Sequence, residues 1–196
     1  MAFPTTEQLV VEFERFLQEG WAEAGVEDGV QRFTKDLAGS SLKAFKGSCL
    51  IEKPVAEVLA ALKDWEHRPA WDESFLGGRV IQPIDATTDI IYQVKLAGGP
   101  ASNRDMCMIR LNREFDGKVY VITKSVPHPD CPPVDKLVRA EVTIAGFSLV
   151  PEGAGCRVAY AAAMNPGGWV PGFLANRVGQ KQPLIVAALR KHLTGH

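Results

Sequence analysis

The side chains best able to do chemistry are few and dispersed. In NRDMCMIRLNRE, residues 103–114, alternation puts Arg104, Met106, Met108 and Arg110 on one face of a strand. Asp105, Cys107, Ile109 and Leu111 take the other face, so both sides are apolar in the middle, as in a strand that is covered twice or lines a cavity. Methionine is flexible and polarisable and suits irregular apolar ligands. Arg110 beside two methionines reads either as a cation on a cavity wall or as a strand-end side chain that snorkels to water.

Signatures of catalysis are missing. The sequence has no GxGxxG, P-loop, HExxH or GxSxG, and KGSCL lacks the second glycine of a nucleophile elbow. His67, His128, His192 and His196 fall at loop or terminal positions. HPDC, residues 128–131, gathers three ligand types, but Pro129 and Pro132-Pro133 stiffen it into an extended surface loop. No metal, no cofactor and no catalytic residue is expected. Cys49, Cys107, Cys131 and Cys156 are scattered without a CxxC pair and read as reduced thiols of a cytoplasmic protein.

Charge and composition narrow the classes further. A net charge of −1 gives no basic field for nucleic acid and no polybasic run for an anionic membrane. With 46% hydrophobic residues in 196, one domain spanning 1–196 has enough apolar material for a sizeable core. The N-terminal stretch is broken by Glu12, Glu14 and Arg15, unlike a signal peptide, and no run reaches the ~18 apolar residues that a membrane span needs.

The elements that must position these residues follow from periodicity. Leu9, Phe13, Phe16 and Leu17 at helical spacing, with Thr5 and Gln8 as a capping box, predict a helix over about 5–20. Strands are expected at 29–37 and 42–52, a helix in KPVAEVLAALKDW, and a turn or short helix at RPAWDES. A meander then follows at 79–84, 88–96, 103–113, 118–126, 137–150 and 156–164. The last segment, about 171–193, predicts one long helix kinked at Pro183, with Leu174, Val178, Ile185, Leu189 and Leu193 on its apolar stripe. Grouped strands with helices at the ends give an α+β fold with a curved antiparallel sheet, whose concave face must receive that helix.

Whether that space is filled or hollow is left open by composition. Val138, Ala140, Val142 and Ile144 share one face of their strand, opposite Arg139, Glu141 and Thr143. Val158, Tyr160, Ala162 and Met164 share a face of the next. Small residues opposite a large helix serve close packing or leave room for a ligand.

Four ordered motifs resemble those of START domains, the steroidogenic acute regulatory protein related lipid transfer family. RPAWDESF resembles the family's Trp-Asp segment, SNRDMCMIR its Arg-Asp strand, SVPHPDCPPVDKLVRAE its Pro-rich loop with the following Val-Arg-Ala strand, and NPGGWVPGFLAN its Pro-Gly-Gly junction into the terminal helix. The similarity covers roughly Phe45 to Leu193. It implies a helix-grip fold, in which the sheet wraps around the C-terminal helix and encloses one sterol, phospholipid or similar apolar molecule in an internal tunnel. The implied activity is transfer of that lipid between membranes, by a monomer touching the membrane surface transiently. A lipid with ~15 CH₂ groups loses roughly 12 kcal/mol if it crosses water uncovered, so a carrier must surround it.

On this resemblance the expected lining is Met106, Met108, Arg110, Val142, Ile144, Tyr160, Ala162, Leu174 and Val178. The acidic partner that some sterol-binding members give the arginine at the position of Arg110 falls on Gln93 or Tyr92, so the ion pair is expected to be missing and a ligand group to replace it. Periodicity puts Ile90, Tyr92, Val94 and Leu96 inward and Gln93 with Lys95 outward. The expected gate is Gly98, Gly99 and Pro100 with Gly167, Gly168, Trp169 and Phe173. Two other readings accompany this one: a cyclase or hydrolase of the wider helix-grip superfamily, and a lipid sensor acting through a protein partner.

Overall fold

Thr5 Oγ1 accepts the Gln8 backbone N–H at 3.2 Å and the Gln8 side-chain carbonyl accepts the Thr5 N–H at 2.9 Å, a reciprocal cap that starts helix α1 (Thr6–Gln18). The structure, a computed structural model, describes residues 3–97 and 101–195. After α1 come β1 (Ala22–Glu27), β2 (Val30–Asp36), β3 (Lys43–Ile51), helix α2 (Val55–Lys63) and a 3-10 turn at Arg68–Ala70. The meander follows as β4 (Phe75–Pro83), β5 (Thr88–Lys95), β6 (Arg104–Phe115), β7 (Lys118–Ser125), β8 (Val138–Arg139), β9 (Glu141–Glu152) and β10 (Gly155–Asn165).

The strands form one curved sheet in the order β1-β2-β3-β10-β9-β7-β6-β5-β4, antiparallel at every step, with short β8 pairing parallel to β6 off that path. Strand β1 was not foreseen: AEAGVE is exposed almost throughout, so it carries no alternation to read. Between Ala163 and Met164 the β9–β10 register slips, with Ile144 opposite Ala163 and Val142 opposite Met164. That bulge makes Thr143 the extra residue and puts Val142 and Ala145, three apart, on the same face.

Helix α1 covers the convex face. Leu9, Val10 and Phe13 pack with Ile90, Cys107, Ile109, Leu111, Tyr120 and Ile122, and Glu14 accepts the Tyr120 hydroxyl at 2.5 Å. The concave face receives the C-terminus, which is two helices rather than one: α3 (Gly172–Gly179) and α4 (Ile185–Thr194), parted by a 3-10 turn at Gln182–Leu184. Pro183 has no N–H for an unbroken helix to use, so the chain closes with tighter bonds, Lys181 N–H to Val178 O at 3.1 Å and Leu184 N–H to Lys181 O at 3.0 Å. The turn rests on β3 because Gly47 leaves space: a Cβ there would lie 2.6 Å from the Pro183 Cβ. From α4, Val186 and Leu189 are fully buried against Cys49, Ile51, Phe147, Leu149 and Val158.

Candidate functional site

Strand pairing fixes which side chains reach the concave face. Met106 lies opposite Gln93, Met108 opposite Ile91, and Arg110 opposite Asp89, so all six share that face. Met106, Met108, Val142 and Ala162 form one apolar cluster with Ile91, Ala140 and Ala145, flanked by Trp65, Tyr160 and Met164. Tyr160 packs 4.9 Å from the Phe147 ring, and burial pushes its phenol up to about 12, with the Asp72 charge adding to this and Arg68 opposing it. Yet its side chain keeps accessible surface.

Four expected lining residues lie elsewhere. Tyr92 and Ile144 join the convex cluster beneath α1: the apolar alternation of β5 belongs to that face, and the β9 bulge turns Ile144 away from Val142. Leu174 and Val178 are 43% and 58% exposed, because the break before Pro183 leaves α3 over the edge of the sheet while α4 supplies the buried stripe. Gln93, read by periodicity as outward, faces inward and is buried.

A buried ionic cluster closes one end of this face, and sequence reading missed it. Asp72 accepts from Arg68 Nε at 2.9 Å, Lys95 Nζ at 2.6 Å and the Ser74 hydroxyl at 2.6 Å. The Arg68 guanidinium also lies 5.1 Å from the Trp71 ring and 5.2 Å from Phe75. Burial alone would raise the Asp72 pKa, but Lys95 and Arg68 outweigh it and hold the carboxyl below its ordinary value. Burial pushes Lys95 down to about 8 against the pull of Asp72, and the Arg68 charge beside it adds to the fall. The signal was in RPAWDES, where Arg68 and Asp72 stand four apart, but Lys95 joins them only through the β4–β5 pairing.

This cluster sets a pH dependence. Lys95 titrates near 8 when folded and near 10.5 in its ordinary state, so between those values the unfolded chain binds the extra proton. Stability should therefore rise across that window in the wild type, by about 3 kcal/mol relative to Lys95→Met, in denaturant unfolding repeated at stepped pH. Parallel curves for the two proteins would mean that Lys95 is not depressed.

Arg110 does not lack a carboxylate. Asp89 accepts from Arg110 Nε at 2.9 Å and from its Nη2 at 2.5 Å, and the guanidinium lies 4.6 Å from the Trp65 ring. The expectation of a missing pair fails because the partner stands directly across the β5–β6 register rather than at Tyr92 or Gln93. The doubly bonded pair is half-buried and electrically neutral, so no ligand anion is needed to balance it.

The seam between sheet and helix is built from the Arg-Asp motif. Arg104 donates to the carbonyls of Pro166 at 3.0 Å, Gly167 at 3.5 Å and Ser102, tying the start of β6 to the junction before α3. Asp105 faces the other way and holds Arg139 by two bonds, at 3.0 and 2.9 Å. Gly167 and Gly168 take φ of +66° and +65°, and a Cβ on Gly167 would meet the Arg139 carbonyl at 2.3 Å. Trp169 and Phe173 beyond them are 92% and 72% exposed. Asn176 tethers α3 by accepting the Lys43 N–H and donating to the Ser41 carbonyl, each at 2.9 Å. Gly98, Gly99 and Pro100, the other half of the expected gate, lie outside the described residues.

Comparison with known proteins agrees with this architecture. The family model described as "START domain" matches residues 18–195. The human START domain-containing protein 10 is 27% identical over 166 residues, 82% of this chain and 56% of that protein, so the chain spans about half of that relative's length. The crystal structure of human STARD10 superposes with a TM-score of 0.86 at 22% identity, covering 97% of this chain and 80% of the other. A STAR-related lipid transfer protein fragment from Xanthomonas axonopodis superposes with a TM-score of 0.78 at 26% identity, covering 89% of this chain and 99% of the other. With its helix-grip fold and a family match over nearly its whole length, the chain belongs to the START domain family.

Proposed function

We propose that the protein encloses one lipid between the concave face of its sheet and its C-terminal helices and carries it between membranes. The observation that carries this reading is the buried Arg68, Asp72 and Lys95 cluster, with Gln93 beside it on β5, at one end of a face whose middle is apolar. Two cations against one carboxylate leave an excess positive charge where water is scarce, which a phosphate-bearing or other strongly accepting head group would balance. A phospholipid or similar polar-headed lipid therefore fits this end better than a sterol does. The related Xanthomonas axonopodis protein, titled a lipid transfer protein, supports the reading.

The role is that of a binder rather than an enzyme. A phenol at about 12 and two arginines paired with carboxylates are poor general bases near neutral pH, and Lys95, though lowered to about 8, is occupied in donating to Asp72 and Ser74. The four free thiols fit a cytoplasmic setting. The exposed Trp169 and Phe173 would be the part that meets a bilayer, where tryptophan favours the interface.

The test is to strip the protein of lipid and titrate it with fluorescent phospholipid and sterol analogues, then follow vesicle-to-vesicle transfer. Saturable one-to-one binding with the phospholipid preferred is expected, and no binding of either class would sink the proposal. Trp169→Ala should leave the melting temperature unchanged and slow transfer about tenfold, the factor expected from losing one interfacial aromatic. Transfer at the wild-type rate would remove this rim from the membrane contact.

A further inference from the structure

A second space opens on the far edge of the sheet, away from the Asp72 cluster. It is a cleft of about 510 Å³ walled by Arg32, Thr34, Lys43 and Phe45 on the strands and by Phe173 and Arg177 on α3. Arg32 and Thr34 stand two apart on β2, opposite Gly47 and Phe45, so both face the cleft. Arg32 Nε and Thr34 Oγ1 are buried there with no hydrogen-bond partner. Buried polar atoms are almost always satisfied, and two orphans in one cleft mark the place of an absent acceptor.

The charge of the walls says what kind of acceptor. Arg32 spends one terminal nitrogen on Glu27 at 2.7 Å, and Lys43 is held by Asp36, but Arg177 has no partner among the described residues. Among the described residues no carboxylate lines the cleft. An orphan N–H, an orphan hydroxyl and an unpaired guanidinium in a cleft also walled by Phe45 and Phe173 suit an anionic group carried on an apolar body. Phe173 is both a wall of this cleft and, with Trp169, part of the exposed apolar rim, so the mouth opens where a bilayer surface would lie.

We propose that this cleft holds the anionic head group of a bilayer lipid while Trp169 and Phe173 rest in the membrane interface. The proposal depends on the reading that this rim meets a membrane. Arg32 Nε and the Thr34 hydroxyl donate to the head-group oxygens, and Arg177 balances the charge. The site is separate from the enclosed lipid, and its role is to choose the membrane on which the carrier opens.

Sedimentation with vesicles of phosphatidylcholine, alone or with phosphatidylserine, tests it. Wild type should prefer the anionic vesicles, and Arg177→Gln should reduce that preference about fivefold while leaving binding to pure phosphatidylcholine unchanged. Thr34→Val should lower the preference about threefold and at the same time raise the melting temperature, because it removes an unpartnered buried hydroxyl. A purely structural Thr34 would move the melting temperature alone, which would overturn the proposal. Trp169→Ala should weaken binding to both vesicles and keep their ratio; loss of the ratio would assign the preference to the indole and overturn the cleft. Inorganic phosphate should inhibit no more than sodium chloride at equal ionic strength, and selective inhibition would give the site to free phosphate instead. If transfer between neutral vesicles persists without any anionic preference, the cleft proposal fails and the carrier reading stands; if transfer is absent throughout, the carrier reading fails.

Discussion

Asp72→Ala should lower the free energy of unfolding by about 3–5 kcal/mol, the usual cost of removing one partner from a buried ion pair. The effect belongs at the upper end because Asp72 serves two cations and a hydroxyl, so its loss strands Arg68 and Lys95 together. Urea unfolding reads the loss directly. A triple variant, Arg68→Met, Asp72→Leu and Lys95→Met, should recover most of that stability, since apolar side chains of similar volume often replace a buried ion cluster without cost. It should not recover affinity for a phosphate-headed lipid. Recovery of both would reduce the cluster to scaffolding, and recovery of neither would mean that the site does not tolerate repacking.

Gly167→Ala should be the most damaging single change at the seam, costing about 2–5 kcal/mol from left-handed backbone strain together with overpacking. Its Cβ would stand 2.3 Å from a backbone oxygen, that of Arg139, so the strand or the junction must move. Gly168→Ala takes the same left-handed conformation but would meet only the Val138 side chain, Cγ1 at 3.4 Å and Cγ2 at 3.9 Å, ordinary contacts. Its cost should stay near the strain alone, about 1–2 kcal/mol. The functional contrast should be sharper than the thermodynamic one. Gly167 accepts from Arg104, so its displacement should change the rate of lipid exchange, whereas Gly168→Val, confined to the surface of the seam, should slow exchange more than it weakens equilibrium binding. Equal effects of Gly168→Val on both would take the junction out of the gate.

What could be read in advance depended on whether a residue's face was decided locally. The α1 cap needed only Thr5 and Gln8, and the alternation Met106, Met108, Arg110 held because β6 is regular throughout. Strand β5 misled because both of its faces are buried: Ile90 and Tyr92 point to α1, while the polar Asp89, Gln93 and Lys95 point to the concave side. Apolar alternation identifies the core side only when the other side is wet. Ile144 was lost to a bulge that no local residue announces, and Asp89 was missed because Arg110 reaches it through register and not through sequence distance. Helical spacing continued through Pro183, so the periodicity of 171–193 concealed two helices with different duties.

That division has a consequence for how variants of this chain would present themselves. Helix α4 holds Val186 and Leu189 at full burial, whereas α3 is fastened mainly by Asn176 and by the fit of Gly172 against Ser41 and Gly179 against Phe45. A survey that scores substitutions by cellular abundance would mark α4 as intolerant and the exposed residues of α3, Phe173, Leu174, Arg177 and Val178, as free to vary. Those silent positions border the mouth through which cargo and membrane are proposed to meet. On that proposal, inherited or engineered changes there would leave a normal amount of well-folded protein whose cargo goes to the wrong place or too slowly.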